Sequence, residues 1–335
     1  MDPISQGAIA AAAAQTRARR EQMIAFTWFG ALAGMAPDLD VLIQSPTDPL
    51  LFLEFHRHFT HAIVFIPVGA LIVAGALFKI LRHPLNFRQA YLACLLGYAT
   101  HALLDACTSY GTQLFWPFSN MRVSWNNVSV VDPLFTLPLL ALVVTAALRK
   151  APKFAVMGLI WAVTYLSFGA VQLHRATAAA EALAESRGHT PHRLTMKPSF
   201  ANLLIWKSIY EFEDAYYVDG IRTGFTPSVC VGQHVEKLHL PTHLPDLQAD
   251  SQQARDIERF RWFSDDYLAY HQGGIVDMRY SMVPNEVDPM WGVKVDSNKA
   301  DHEHVVWWSE RNMSDEKRSA FGAMLAGRSC SELPP

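Results

Sequence analysis

Residues 90–107 read AYLACLLGYATHALLDAC, a stretch of membrane-spanning length in which the only ionisable side chains besides tyrosine and cysteine are His101 and Asp105. Those two are four residues apart, so a helix sets them on one face with neighbouring side-chain origins. An imidazole and a carboxylate are costly at such depth and call for a function. Further apolar runs lie on both sides, at 62–80, 131–148 and 154–173, with two shorter ones at 3–16 and 22–38 joined by Arg17-Ala18-Arg19-Arg20. The pattern predicts an α-helical membrane domain of five or six hydrophobic helices over 1–173, with the spanning of the first short segment left open. A small extracytoplasmic α+β domain is expected over 174–335.

Charge divides the chain at the same place. Residues 1–173 hold 8 acidic and 11 basic side chains, whereas 174–335 hold 23 and 17, so one half reads as membrane and the other as water-soluble. A net charge of −3 without a basic run beyond residues 17–20 argues against nucleic acid as a partner. The N-terminus opens with an acid and meets its basic cluster only after the apolar run, the reverse of a secretory signal, and is expected to be retained. Cys94, Cys107, Cys230 and Cys330 form no CxxC motif, and the first two read as packing residues. In the second half, β-like runs at 204–210, 216–221 and 304–308 accompany a helical stretch at 252–270 and turn signals at Asp219-Gly220 and Gly273-Gly274.

Short cytoplasmic loops are enriched in Lys and Arg. Arg17, Arg19, Arg20, Lys79, Arg82, Arg88, Arg149, Lys150 and Lys153 fall on one side of the expected spans, and only Arg57 and Arg122 on the other. The loops 39–60 and 108–130, and everything after residue 173, are therefore placed outside. With that orientation Asp38, Asp40, His56, His58, His61, His101, Asp105 and Asp132 all reach the same face. The donor types suit zinc, manganese or iron(II), and several ligands in one site permit one or two ions. Structural roles compete with this reading: an intramembrane ion pair for His101 and Asp105, a solvated helix end for Asp38 and Asp40, interfacial imidazoles for His56, His58 and His61, and an N-cap for Asp132. Trp116, Trp125 and their neighbours fit an aromatic belt. His302-Glu303-His304 puts two imidazoles on one strand face without a carboxylate partner.

These same residues carry a resemblance. Met1-Asp2-Pro3-Ile4-Ser5-Gln6-Gly7, Pro37-Asp38-Leu39-Asp40, His56-Arg57-His58-Phe59-Thr60-His61, the run from His101 to Thr112, Trp116-Pro117-Phe118 and Asp132-Pro133 resemble the YdjM-like family of membrane-bound, metal-dependent hydrolases. The likeness covers most of residues 1–148. It implies a bacterial inner (cytoplasmic) membrane protein, multi-pass, whose metal ligands fall on Asp38, Asp40, His56, His61, His101 and Asp105. Ser5-Gln6 stands where many members carry Thr-His, and Arg57-His58 where Arg-Gly is usual.

The expected function is a membrane-embedded metal-dependent hydrolase. Its substrate would be a lipid or lipid-linked phosphoester or ester at the outer interface, with membrane lipids as its surroundings. Asp40 or His58 would act as general base and Arg57 would hold a substrate anion. Two other classes are a metal-binding regulatory or scaffold protein without turnover, and a divalent-ion transporter. The latter would need ligands near the midplane with access from both sides.

Overall fold

The computed structural model describes residues 1–296, 299–311, 313–328 and 330–332. The chain divides into two compact units, Met1–Leu42 with Phe55–Val171 and Phe200–Asn202, and Ile43–Glu54 with Gln172–Ser199 and Leu203–Pro335. Residues 43–54 thus leave the first unit between two of its candidate ligands, a crossing that a division at residue 173 does not anticipate.

The first unit is helical. α1 (Pro3–Gln15) starts where the Asp2 carboxylate caps the amides of Ile4 and Ser5, with Pro3 in the first turn. α2 (Met23–Met35) runs into a 3-10 segment, Ala36–Leu42, and short 3-10 turns at Phe59–His61 and Ile63–Phe65 lead into α4 (Ile66–Ile80). α3 (Leu51–Phe55) lies between them in sequence. α5 (Phe87–Ala106) begins at a reciprocal Asn86/Gln89 capping box. α6 (Pro133–Arg149) begins at Asp132, whose carboxylate also receives the Tyr165 hydroxyl at 2.8 and 2.9 Å. α7 (Pro152–Ser186) is 35 residues long and carries the chain into the second unit.

Small residues decide how closely α1, α2 and α5 approach. α1 buries its alanine run, and a Cβ on Gly30 would come within 2.8 Å of the Ala10 carbonyl oxygen. A Cβ on Gly97 would overlap the Gly30 carbonyl. Small residues at helix interfaces let backbones meet, the usual device where water exclusion cannot drive association.

The expectation of five or six spans is corrected. Two helical stretches, Ile63–Ile80 and Pro152–Ser186, are long and apolar enough to cross a membrane among the described residues. α1 and α2 have 13 residues each, about 20 Å of rise against a hydrocarbon core of about 30 Å. α6, with 17, is also short. α5 is long enough but spends its length on Arg88, Gln89, Thr100, His101 and Asp105, and buries much of its surface in protein.

The second unit contains two antiparallel sheets. One has the order β1-β2-β3-β4-β9, with β1 (Arg193–Pro198), β2 (Ile205–Phe212), β3 (Ala215–Thr223), β4 (Pro227–Glu236) and β9 (Ser331–Glu332). The other has the order β5-β6-β7-β8, with β5 (Leu268–His271), β6 (Gly274–Asp277), β7 (Trp291–Lys294) and β8 (Val306–Ser309). Helices α8 (Leu240–His243), α9 (Gln252–Phe263) and α10 (Asp315–Leu325) complete it. The turn expected at Asp219-Gly220 is instead a register irregularity inside β3. The helix expected to reach residue 270 stops at Phe263, because Asp265 and Asp266 take positive φ and β5 follows. Cys230 and Cys330 form a disulfide that the sequence reading did not foresee.

Candidate metal centre

The site is built from three short segments of the first unit. The 3-10 segment Ala36–Leu42 delivers Asp38 and Asp40; both acids turn inward while Leu39 and Leu42 stay exposed. The turn Phe59–His61 delivers His61. The end of α5 delivers His101 and Asp105, both fully buried.

Asp38, His61, His101 and Asp105 bring one ligand atom each within 4.8 Å of one another, a group that could hold a metal ion. A second overlapping group is Asp38, Asp40 and His56. The two Nε2 atoms of His61 and His101 stand 2.8 Å apart. Asp38 Oδ1 lies 3.5 Å from the first and 3.3 Å from the second; Asp105 Oδ2 lies 3.4 and 3.8 Å away. Four ligands in a tetrahedron with bonds of about 2.0–2.1 Å stand about 3.3–3.4 Å from one another, which most of these separations approach.

The donor chemistry makes the same point. His101 Nδ1 lies 2.5 Å from the Gly34 carbonyl, which can only accept, so that nitrogen carries the proton and Nε2 keeps its lone pair. His61 Nδ1 faces Asp40 Oδ2 at 3.2 Å and the Thr60 hydroxyl at 3.0 Å, leaving its Nε2 in the same condition. Two lone pairs and two carboxylate oxygens therefore converge on one point. Such an arrangement calls for a positive centre, a metal ion or a proton. Burial pulls the His61 imidazole down, but hydrogen bonds to Asp105, Asp38 and Asp40 outweigh it and push it up to about 10, the proton serving where no metal does.

Around this centre lies a ring of supports. Asp40 spends both oxygens. One accepts from His56 at 2.8 Å; the other accepts from the Arg57 amide at 3.0 Å and the Thr60 hydroxyl at 2.8 Å, besides facing His61. Burial pushes the Asp40 carboxyl up, and its bonds to His56 and His61 more than reverse this, holding it below the usual carboxylate range. Asp105 Oδ1 accepts from the Met1 amino group and, at 2.9 Å, from Gln6 Nε2. Gln6 Oε1 is buried without a hydrogen-bond partner.

The other residues singled out from the sequence take different places. Arg57, at positive φ and buried, pairs through Nε with Asp105 Oδ2 at 3.0 Å and donates to Thr108 Oγ1 at 2.9 Å. The partner of its guanidinium in this structure is thus a candidate ligand, the Asp105 carboxylate. His58 belongs to neither ligand group and turns its ring toward Phe55 and Trp116. Asp132 serves as the α6 cap. His304 faces Asp256 at 2.9 Å and joins no ligand group among the described residues. Thr60, Thr108 and the Gly34 carbonyl escaped the sequence reading; Thr60 directly precedes a proposed ligand, whereas a backbone carbonyl leaves no mark in a sequence.

The ligand-bearing residues 38–105 lie inside the region, residues 1–176, that matches the family described as YdjM inner membrane protein. The chain belongs to the YdjM inner membrane protein family. A similar protein, the uncharacterized YfhP of Bacillus subtilis (strain 168), is 32% identical over 104 residues, which are 30% of this chain and 31% of YfhP. The chain therefore matches about a third of that relative's length. No solved structure matches. YdjM membership makes this an inner membrane protein, with two candidate spans in this chain and a cluster able to take an ion.

Proposed function

We propose that this YdjM protein is a metal-dependent hydrolase acting on a lipid or lipid-linked phosphoester or ester. The observation that carries the reading is the convergence of Asp38 Oδ1, Asp105 Oδ2 and the Nε2 atoms of His61 and His101, four ligand atoms among which a single proton on His61 stands in when no ion is bound. Imidazole with carboxylate suits zinc or manganese. A divalent ion held by Asp38, His61, His101 and Asp105 would supply Lewis acidity toward a phosphoryl or carbonyl oxygen and toward water. The protein's own part is positioning. Gly34 and Asp40 aim the two imidazoles, and Arg57 holds Asp105 in place. His56, with a third of its side chain exposed and bonded to Asp40, is the group placed to hand a proton to solvent.

The substrate class follows from what flanks the ligands. Leu39, Val41 and Leu42 beside the two aspartates, and Ile63 and Val64 beside His61, are exposed apolar side chains, which favours a site at lipid depth. An extracytoplasmic second unit is supported by the Cys230–Cys330 disulfide, since such bonds persist in oxidising compartments, and by the nine-to-two bias of loop cations.

The test is the purified full chain in detergent, assayed for metal content and then against micellar phosphoesters and esters with and without chelator. Turnover lost to chelator and restored by zinc or manganese is the expected result. Bound metal without chelator-sensitive turnover on a broad lipid, nucleotide and model-ester panel would replace hydrolysis by a binding role.

A further inference from the structure

The connection between the two ligand stretches is held by the second unit. Asp38 and Asp40 precede residues 43–54, and His56 and His61 follow them, yet 43–54 packs with the second unit. One side chain collects it. Arg259 on α9 donates to both oxygens of Asp48, at 3.0 and 2.8 Å, and to Glu54 Oε1 at 2.5 Å. Arg259 is itself fixed by Asp256 at 2.9 Å, a fully buried carboxylate that also accepts from the Val305 amide at 3.1 Å and faces His304. Leu50 and Leu53 are buried, and Phe52 meets Trp307 edge-on at 5.3 Å. Three acids and one arginine thus form a clasp on a strap whose ends carry candidate ligands.

We infer that Arg259 is a positioning residue for the metal centre, acting through the 43–54 strap. The inference rests on the metal reading above. Glu54 stands two residues before His56, and Asp48 lies midway between Asp40 and His56, so the clasp fixes the start of the second ligand stretch relative to the end of the first. With the strap held, the ligands meet an ion already placed. With it free, the ~15-residue connection is held only by the Asp40 bonds to His56, Arg57 and Thr60, and the closure cost, which grows as the 3/2 power of length, sets a ceiling of about fiftyfold in affinity for complete release. Removing one anchor of several is expected to lose about tenfold.

The experiment compares zinc affinity, by competition with a chromophoric chelator, in the full-length wild type, Arg259→Ala, Asp48→Ala and the double variant, with Arg193→Ala breaking an unrelated ion pair of the same unit. Hydrogen exchange of residues 38–61 is followed in the metal-free proteins. Expected are a loss of about tenfold in each clasp variant, no further loss in the double variant, faster exchange at the Arg57 amide, and wild-type affinity in Arg193→Ala. Affinity within twofold of wild type in both clasp variants overturns the inference. So does an equal loss in Arg193→Ala, which would mark a general loosening. If Arg259→Ala does not fold, Asp48→Asn and Glu54→Gln address the same clasp from the strap side. If wild type binds no zinc, the metal reading fails and the inference falls with it; zinc bound by wild type with unchanged affinity and unchanged exchange in the clasp variants is the failure of positioning alone.

Discussion

The two units treat buried charge in opposite ways. In the second unit several buried or half-buried charges meet their complement: Arg279 grips Asp277 at 2.8 and 2.9 Å, Arg187 grips Asp219, and Glu211 sits between Arg193 and Lys237. Donors and acceptors match, and these groups have no ion to wait for. In the first unit Arg57 and the Met1 amine serve Asp105, and Asp40 is well supplied, but the point between His61, His101, Asp38 and Asp105 gathers four ligand atoms around no more than the one proton of His61. Buried polar groups without partners are rare and costly, so an unfilled demand surrounded by filled ones marks a place reserved for a ligand.

Four measurements break or sharpen this contrast. The largest effect is expected at the shared centre: His101→Ala or Asp105→Ala should abolish stoichiometric metal, while His239→Ala, which breaks an exposed imidazole–carboxylate pair of the second unit, should keep it. Full occupancy in both centre variants, read by elemental analysis, would erase the distinction. Next, Arg279→Met strands the buried Asp277 and should cost about 3–5 kcal/mol in denaturant unfolding of the second unit, with metal content unchanged. A neutral result there would mean that its charges are not matched as tightly as their geometry shows.

Smaller is Gly97→Ala, whose Cβ has to displace the Gly30 carbonyl; a loss of about 1–3 kcal/mol is expected, seen as a lower Tm. Unchanged melting would mean that α2 and α5 can part freely. The finest test is pH. Because the metal-free His61 is raised to about 10, it is protonated at neutral pH and must lose that proton to bind an ion through Nε2. Affinity should therefore rise about tenfold per pH unit below that value, with about one proton released per ion in calorimetry across buffers. A flat profile would show that the centre is not proton-filled when empty.

Much of the first unit is written locally. The four-residue spacing of His101 and Asp105 needs only a helix to place them together, and Asp132-Pro133 needs only a helix start to become a cap. Span number was not legible from apolar length alone, because α5 is apolar through small residues that bury against α1 and α2 rather than through a lipid-facing surface. The disulfide was out of reach because its cysteines are 100 residues apart and carry no motif. The clasp was hidden for the same reason: ion pairs between Arg259 and Asp48 or Glu54 leave no periodicity at either end. What spacing cannot encode is which distant segment a loop chooses.

That distance also orders events in time. Arg259 follows Glu54 by 205 residues, so at roughly 5–20 residues per second the ribosome adds it about 10–40 s later. During that interval the nascent chain already carries both ligand stretches, and the loop joining them has no α9 to fasten to. On the positioning inference, the centre gains its full affinity only after α9 has been made.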